Sequence, residues 1–176
     1  MRFVRKPLLW LENVLATVAG ILMLVMMLLT AADVVMRYGF NAPLAWAFDL
    51  VTHYMLVASF FFSFSIALRL GEHVAVDFFV RKFHPVGRRV ARALAWAACG
   101  VVAGVIAITA AHEAWLAWRQ GEVIAGVIPW PVWAQKAIIA TGMAPLAARL
   151  LLLSIGAVPL AYVNEATAAL QVAAKD

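Results

Sequence analysis

Long charge-free runs alternate with short polar stretches along this chain, and their lengths predict four membrane-crossing helices. Twenty residues between Glu12 and Asp33 carry no charge, and a helix of about 20 residues rises about 30 Å, the thickness of a bilayer's hydrocarbon core. A second run of nineteen uncharged positions separates Asp49 from Arg69 and is crowded with Phe60, Phe61, Phe62 and Phe64; Pro43 suits the entrance to its helix. A third run, of twenty, lies between Arg92 and Glu113 and contains Gly100 and Gly104, a small-xxx-small spacing that lets two membrane helices approach closely. The fourth, from Ala137 to Asn164, is broken by Arg149 alone and holds Pro145 and Pro159, which membrane helices tolerate better than soluble ones. The predicted spans are residues 10–34, 44–69, 91–118 and 133–163.

Between spans two and three the pattern changes. Val76, Phe79, Val80 and Phe83 recur at helical spacing while Asp77, Arg81, His84 and Arg88 take the other side, which predicts a short amphipathic helix over 74–84 lying in the membrane interface. The same pattern serves a solvated helical turn folded onto the bundle. At the amino end, Met1-Arg2-Phe3-Val4-Arg5-Lys6 before an apolar run resembles a secretory signal. The run is longer than the apolar segment of such signals, so it is read as a retained first helix.

Composition points the same way. Of 176 residues, 66% are apolar and 13% charged, far from the roughly one-half and one-quarter of soluble domains. No polar linker, low-complexity stretch or internal repeat divides the chain, so residues 1–176 are expected to form a single all-α integral membrane domain. The formal charge of +5 does not indicate nucleic acid, because the basic residues adjoin apolar blocks instead of lining one face. Lys and Arg divide ten against three between alternate connections, and the positive-inside rule then puts both termini and the segment from Arg69 to Arg92 in the cytoplasm. Trp46, Trp115, Trp118, Trp130 and Trp133 fall near the opposite interface, where an indole is half apolar and half wet. Cys99 is the single cysteine, which excludes an intramolecular disulfide and a thiolate metal cluster.

A few residues invite chemistry. Arg149, inside span four, must face protein or water, since a guanidinium in lipid costs roughly 2.5–3.5 kcal/mol even on insertion scales; it meets a partner subunit or an anionic group, or it pairs within the bundle or snorkels. Asp33, Arg37, Asp49 and His53 gather at the outer ends of spans one and two, at depths that suit an ion-pair network fixing helix ends. His53 and His112 form the best cofactor hypothesis, two histidines gripping one haem iron in an electron-transfer subunit. No nucleophile–base pair or phosphate loop supports an enzyme. Nor does the chain look like a carrier in its own right: it lacks paired inverted repeats and midplane carboxylates. Glu12 sits at the edge of span one, unlike the central Glu of small homodimeric drug exporters.

The stretch from Asp33 through Trp46 reads Asp-Val-Val-Met-Arg-Tyr-Gly-Phe-Asn-Ala-Pro-Leu-Ala-Trp, and Arg69 through Asp77 reads Arg-Leu-Gly-Glu-His-Val-Ala-Val-Asp. Together these blocks closely resemble the small permease subunit, DctQ type, of tripartite ATP-independent periplasmic (TRAP) transporters. Similarity in layout extends over nearly the whole chain, including Trp130-Pro131-Val132-Trp133 and Lys136. The resemblance implies a multi-pass protein of the bacterial inner membrane without a cofactor of its own. Its partners would be a large permease subunit, a periplasmic solute-binding protein and membrane lipids. In such systems a cation gradient, sodium, drives organic-anion uptake, the large subunit holds the transport sites, and the small one braces it and helps dock the binding protein. On this reading Arg37, Tyr38, Asn41, Pro43 and Trp46 match the outer motif, and Arg69, Gly71, His73 and Asp77 the cytoplasmic one. Position 49 departs, with Asp49 where the family more often carries Glu.

The same residues have folding roles independent of the family. Asn41-Ala42-Pro43 makes a tight link between antiparallel helices, because Asn tolerates turn geometry and Pro begins a helix well. Gly71 suits the end of span two, where the chain turns onto the interfacial helix.

Overall fold

The computed structural model describes residues 2–70 and 85–155. The predicted interfacial helix at 74–84 lies outside them, as do Gly71, His73 and Asp77. Within them the chain is mostly helical. Helix α1 runs Arg2–Gly39, α2 Ala45–Leu50, α3 Leu56–Leu70, α4 Pro85–Gln120 and α5 Val132–Ser154. Between α2 and α3, Val51–Met55 forms a π turn, and between α4 and α5, β1 (Val123–Ile124) pairs antiparallel with β2 (Trp130–Pro131), placing Val123 opposite Pro131 and Ile124 opposite Trp130.

Four helical stretches are long and apolar enough to cross a membrane: Pro7–Gly39, Ala45–Leu68, Ala93–Gln120 and Val132–Ser154. Helix formation follows from solvent as much as from propensity, because only a helix satisfies every backbone N–H and C=O of a single lipid-embedded segment internally. Several serine and threonine hydroxyls within the spans meet the same demand, although the buried Ser59 hydroxyl has no partner among the described residues. Thr17, Thr30, Ser63 and Thr141 each donate to the carbonyl one turn back, at 2.7–2.9 Å. With 38 residues in α1 and 36 in α4, these two helices extend about 57 and 54 Å, well beyond a hydrocarbon core of about 30 Å.

The helices pack in a row, α1 on α3, α3 on α5 and α5 on α4, with a smaller contact of α1 on α5. Helix α5 is therefore the centre: 44% of its apolar window is buried, against 11% for the window of α1. Its core comprises Met143, Leu146, Ala147, Leu150 and Leu153 with Leu68 of α3 and Ala103 of α4. Phe60, Phe61 and Phe64 form a mutually edge-on set with ring centroids 4.6–5.7 Å apart.

Small residues decide how closely the neighbours approach, as expected where lipid removes the hydrophobic drive between helices. At Gly100 an added Cβ would meet Leu151 at 3.0 Å and Leu150 at 3.2 Å, and at Gly104 it would find Ala147 at 4.0 Å. The Gly100/Gly104 spacing thus lies on the α4–α5 seam. The tightest point is Gly142 of α5, where a Cβ would fall 2.7 Å from the backbone of Phe61 on α3.

Gly142→Ala is therefore expected to force α3 and α5 apart, costing about 1–3 kcal/mol as overpacking does, whereas Gly104→Ala should change little. Thermal unfolding of the detergent-solubilised variants distinguishes them. Equal melting temperatures for both substitutions would contradict this packing.

Candidate functional site

The connection between α1 and α2 is built around one carboxylate. Asp33 Oδ2 accepts from Arg37 Nη2 at 2.7 Å, an ion pair one turn along α1, and Oδ1 accepts from the Leu44 backbone N–H, also at 2.7 Å. Leu44 is the N-cap residue of α2 and has no side-chain cap of its own; Asp33 satisfies its backbone N–H from a neighbouring helix, as the acid of a capping box does within one helix. Asn41 takes a left-handed φ of 50° and Ala42 N–H reaches back to Met36 O at 3.0 Å, so the chain reverses within four residues of α1's end. Asn accepts that conformation more readily than most residues. Pro43 follows, exposed, and its carbonyl accepts from Ala45 N–H at 3.1 Å. Tyr38 is exposed and Trp46 half-buried. Beside Asp33 a groove of about 210 Å³ opens between α1 and the π turn, with Thr30 and Thr52 among its lining.

The expected four-residue ion-pair network at this end is smaller in fact. Among the described residues Asp33 and Arg37 pair, while Asp49 and His53 stand apart from them. Asp49 instead abuts the α4–α5 connection: a Cβ on Gly126 would lie 2.6 Å from its Oδ2. Tyr54 reaches the same connection, donating its hydroxyl to Pro131 O at 2.7 Å, with its ring 5.5 Å from that of Trp130. Asp49, near the end of α2, and Tyr54, in the π turn, thus both face the hairpin. Val132 N–H closes the hairpin base on Glu122 O at 3.1 Å.

At the opposite end of the helices lies a buried ion pair. Arg149 Nε and Nη2 donate in parallel to Glu12 Oε1 and Oε2, and Ser65 Oγ donates to Oε1 at 2.6 Å. Side-chain exposure is 1% for Arg149 and 0% for Glu12, so the pair is enclosed by protein instead of facing lipid. It joins α1, α3 and α5 in one contact. Two parallel N–H···O bonds from a planar guanidinium give both charge compensation and a fixed geometry. Of the two readings open for Arg149, the structure places it in a pair within the bundle. Its partners are Glu12, an edge residue of span one by sequence, and Ser65; a cation within the fourth apolar run and a carboxylate bordering the first are the sequence signal for the pair.

Nothing in the structure supports the haem reading: His53 is half-buried on the π turn and His112 is exposed on α4. Arg69 occupies the penultimate position of α3. No group of three or more His, Cys, Asp or Glu side chains assembles a metal site among the described residues.

What the geometry defines is a helical membrane protein whose polar groups hold helices and loops together at the two ends of its spans. The sequence matches the family described as "Tripartite ATP-independent periplasmic transporters, DctQ component" over residues 26–160, and the chain belongs to that family. It is accordingly a small membrane subunit of a TRAP transporter, a transport component of a family that works beside a large permease and a solute-binding protein. Comparison with curated proteins and with solved structures gave no match.

Removing one partner of the buried pair strands the other's charge, so Glu12→Ala and Arg149→Ala should each lose about 3–5 kcal/mol. The double variant Glu12→Leu/Arg149→Leu should lose less than either, because no charge remains buried. Denaturant unfolding in a fixed detergent measures the cycle; additive losses would show that the two side chains act independently.

Proposed function

We propose that this chain is a non-enzymatic brace: it extends a fixed scaffold beside the large permease subunit and helps to dock the solute-binding protein, within a system taking up an organic anion on a sodium gradient. The observation that carries this reading is the family match joined to the disposition of charge. Among the described residues the buried charged side chains are Glu12 and Arg149, and they bind one another. A cargo or ion site at membrane depth needs polar groups directed at the cargo, whereas these are directed at neighbouring helices.

The docking role has support from the outer loops. Tyr38, Phe40 and Phe48 around the α1–α2 connection and Val123 and Val127 around the hairpin are more than half exposed. Both loops are anchored to the spans, one through Asp33 and the other through Tyr54. A firmly held loop presents a partner with a surface already ordered, which lowers the entropy cost of association. The excess of Lys and Arg before span one and between spans two and three supports cytoplasmic termini in the inner membrane, which sets both anchored loops on the periplasmic side.

Two measurements test the proposal. A tagged copy co-expressed with the adjacent membrane gene should co-purify with a larger multi-span protein, and the chain reconstituted without it should accumulate no organic anion; solitary purification with uptake activity would overturn the brace. A reporter enzyme active only outside the cytoplasm should be silent when fused after Asp176 and active when inserted at Gly126. The reverse pattern would overturn the orientation.

A further inference from the structure

Beyond the α4–α5 seam, on the side toward the connection between these helices, lies a groove of about 320 Å³. Its composition is graded. The end far from the connection is floored by small residues, Ala111 and Ala140 among them, while Trp115, Trp118 and Trp133 wall the near end. Thr141, at the far end, commits its hydroxyl to Ala137 O at 2.8 Å, leaving its methyl as the surface it offers. Trp118 and Trp133 meet edge to face with centroids 4.8 Å apart, which steadies the wall. The Arg119 guanidinium stands 5.2 Å over the ring of Trp115, one of the lining residues.

Arg119 is distinctive in charge as well as place. Among the described cationic side chains, Arg37 pairs with Asp33, Lys136 with Glu113 and Arg149 with Glu12, while Arg119 has no carboxylate partner. A cation stacked on an indole at a membrane interface is oriented but not neutralised.

We propose that this groove holds one glycerophospholipid of the leaflet nearest the α4–α5 connection, with an acyl chain along the alanine floor and the headgroup phosphate at Arg119. The gradient from apolar floor through indoles to an unpaired guanidinium follows the gradient of a lipid from chain to headgroup. Charge complementarity selects the occupant: a phosphodiester satisfies Arg119, and the surrounding bilayer supplies it at high concentration. The groove is too shallow for a whole lipid and suits one chain, so the second chain stays in the bilayer. The inference stands apart from the assembly proposed above, since it concerns a ligand of this chain alone.

The test uses the full-length protein in mild detergent with dioleoylphosphatidylglycerol, read by native mass spectrometry. Wild type should retain a single lipid. Arg119→Gln should lower retention about fivefold, the weight of one basic side chain beside an anionic headgroup, and Arg119→Lys should restore it. Ala111→Phe should do the same as Arg119→Gln by filling the floor; both positions are exposed, so neither change disturbs the seam. Lys136→Gln, which removes a cation already paired with Glu113, should leave retention unchanged. The proposal is overturned if wild type retains no lipid, if Arg119→Gln and Ala111→Phe retain as much as wild type, or if Arg119→Lys fails to rescue. A photo-crosslinker at position 111 in the assembled transporter should capture lipid; capture of the large subunit there would equally overturn it.

Discussion

A charge inside a bilayer has no water to fall back on, and this molecule resolves that constraint by burying Glu12 against Arg149. Because the guanidinium fork and the carboxylate match in two directions, the pair fixes the depth and rotation of α1 relative to α5. Ser65 adds α3 to the same point. Lipid-embedded helices otherwise attract one another mainly by close contact of small residues, which leaves sliding and rotation weakly opposed. With α1, α3 and α5 registered at one end, the Gly142–Phe61 approach and the Gly100–Leu151 contact fall where the side chains interlock. Helix α4 is held by α5 along the Gly100/Gly104 face.

The other end of the spans uses polarity differently. Asp33 ties α1 to the start of α2, and Tyr54 ties the second span to the hairpin before α5. These are half-exposed contacts between a helix and a loop, worth less than the buried pair yet sufficient to hold short connections in one shape. The consequence for function is a division of labour along the membrane normal: a rigid internal joint at one end and ordered loop surfaces at the other. The bracing role proposed above draws on both.

Much of this was legible in the sequence, and the reasons differ by feature. Lengths between charges gave the four membrane-crossing helices, because hydrocarbon thickness sets helix length directly. The Gly100/Gly104 spacing identified a helix-packing face, and Asn41 a turn, since each depends on local backbone chemistry. The motif blocks around Arg37 and Asn41 and from Arg69 to Asp77 identified the family. Long-range pairing was not legible. Glu12 and Arg149 are separated by 137 positions, and nothing local told which carboxylate a lone arginine would meet. Asp49 was grouped with Asp33 because both sit at the same depth, but depth says nothing of azimuth, and Asp49 faces Gly126. The π turn that follows it has no sequence signature. The hairpin has one, with Gly121, Gly126 and Pro129 around Val123 and Ile124, but two paired residues on each side are too short a run for strand periodicity to register.

If the internal charges serve architecture, disrupting them should change how much transporter assembles without changing what each assembled transporter binds. The most direct measurement is uptake by cells making the complete transporter with Glu12→Gln and Arg149→Met, recorded against solute and cation concentration alongside the amount of assembled complex. Lower maximal uptake per cell, with unaltered half-saturating concentrations of both, is the predicted result. A shift in the half-saturating concentration of solute or cation, at normal assembly, would place these residues in the transport pathway and contradict the account.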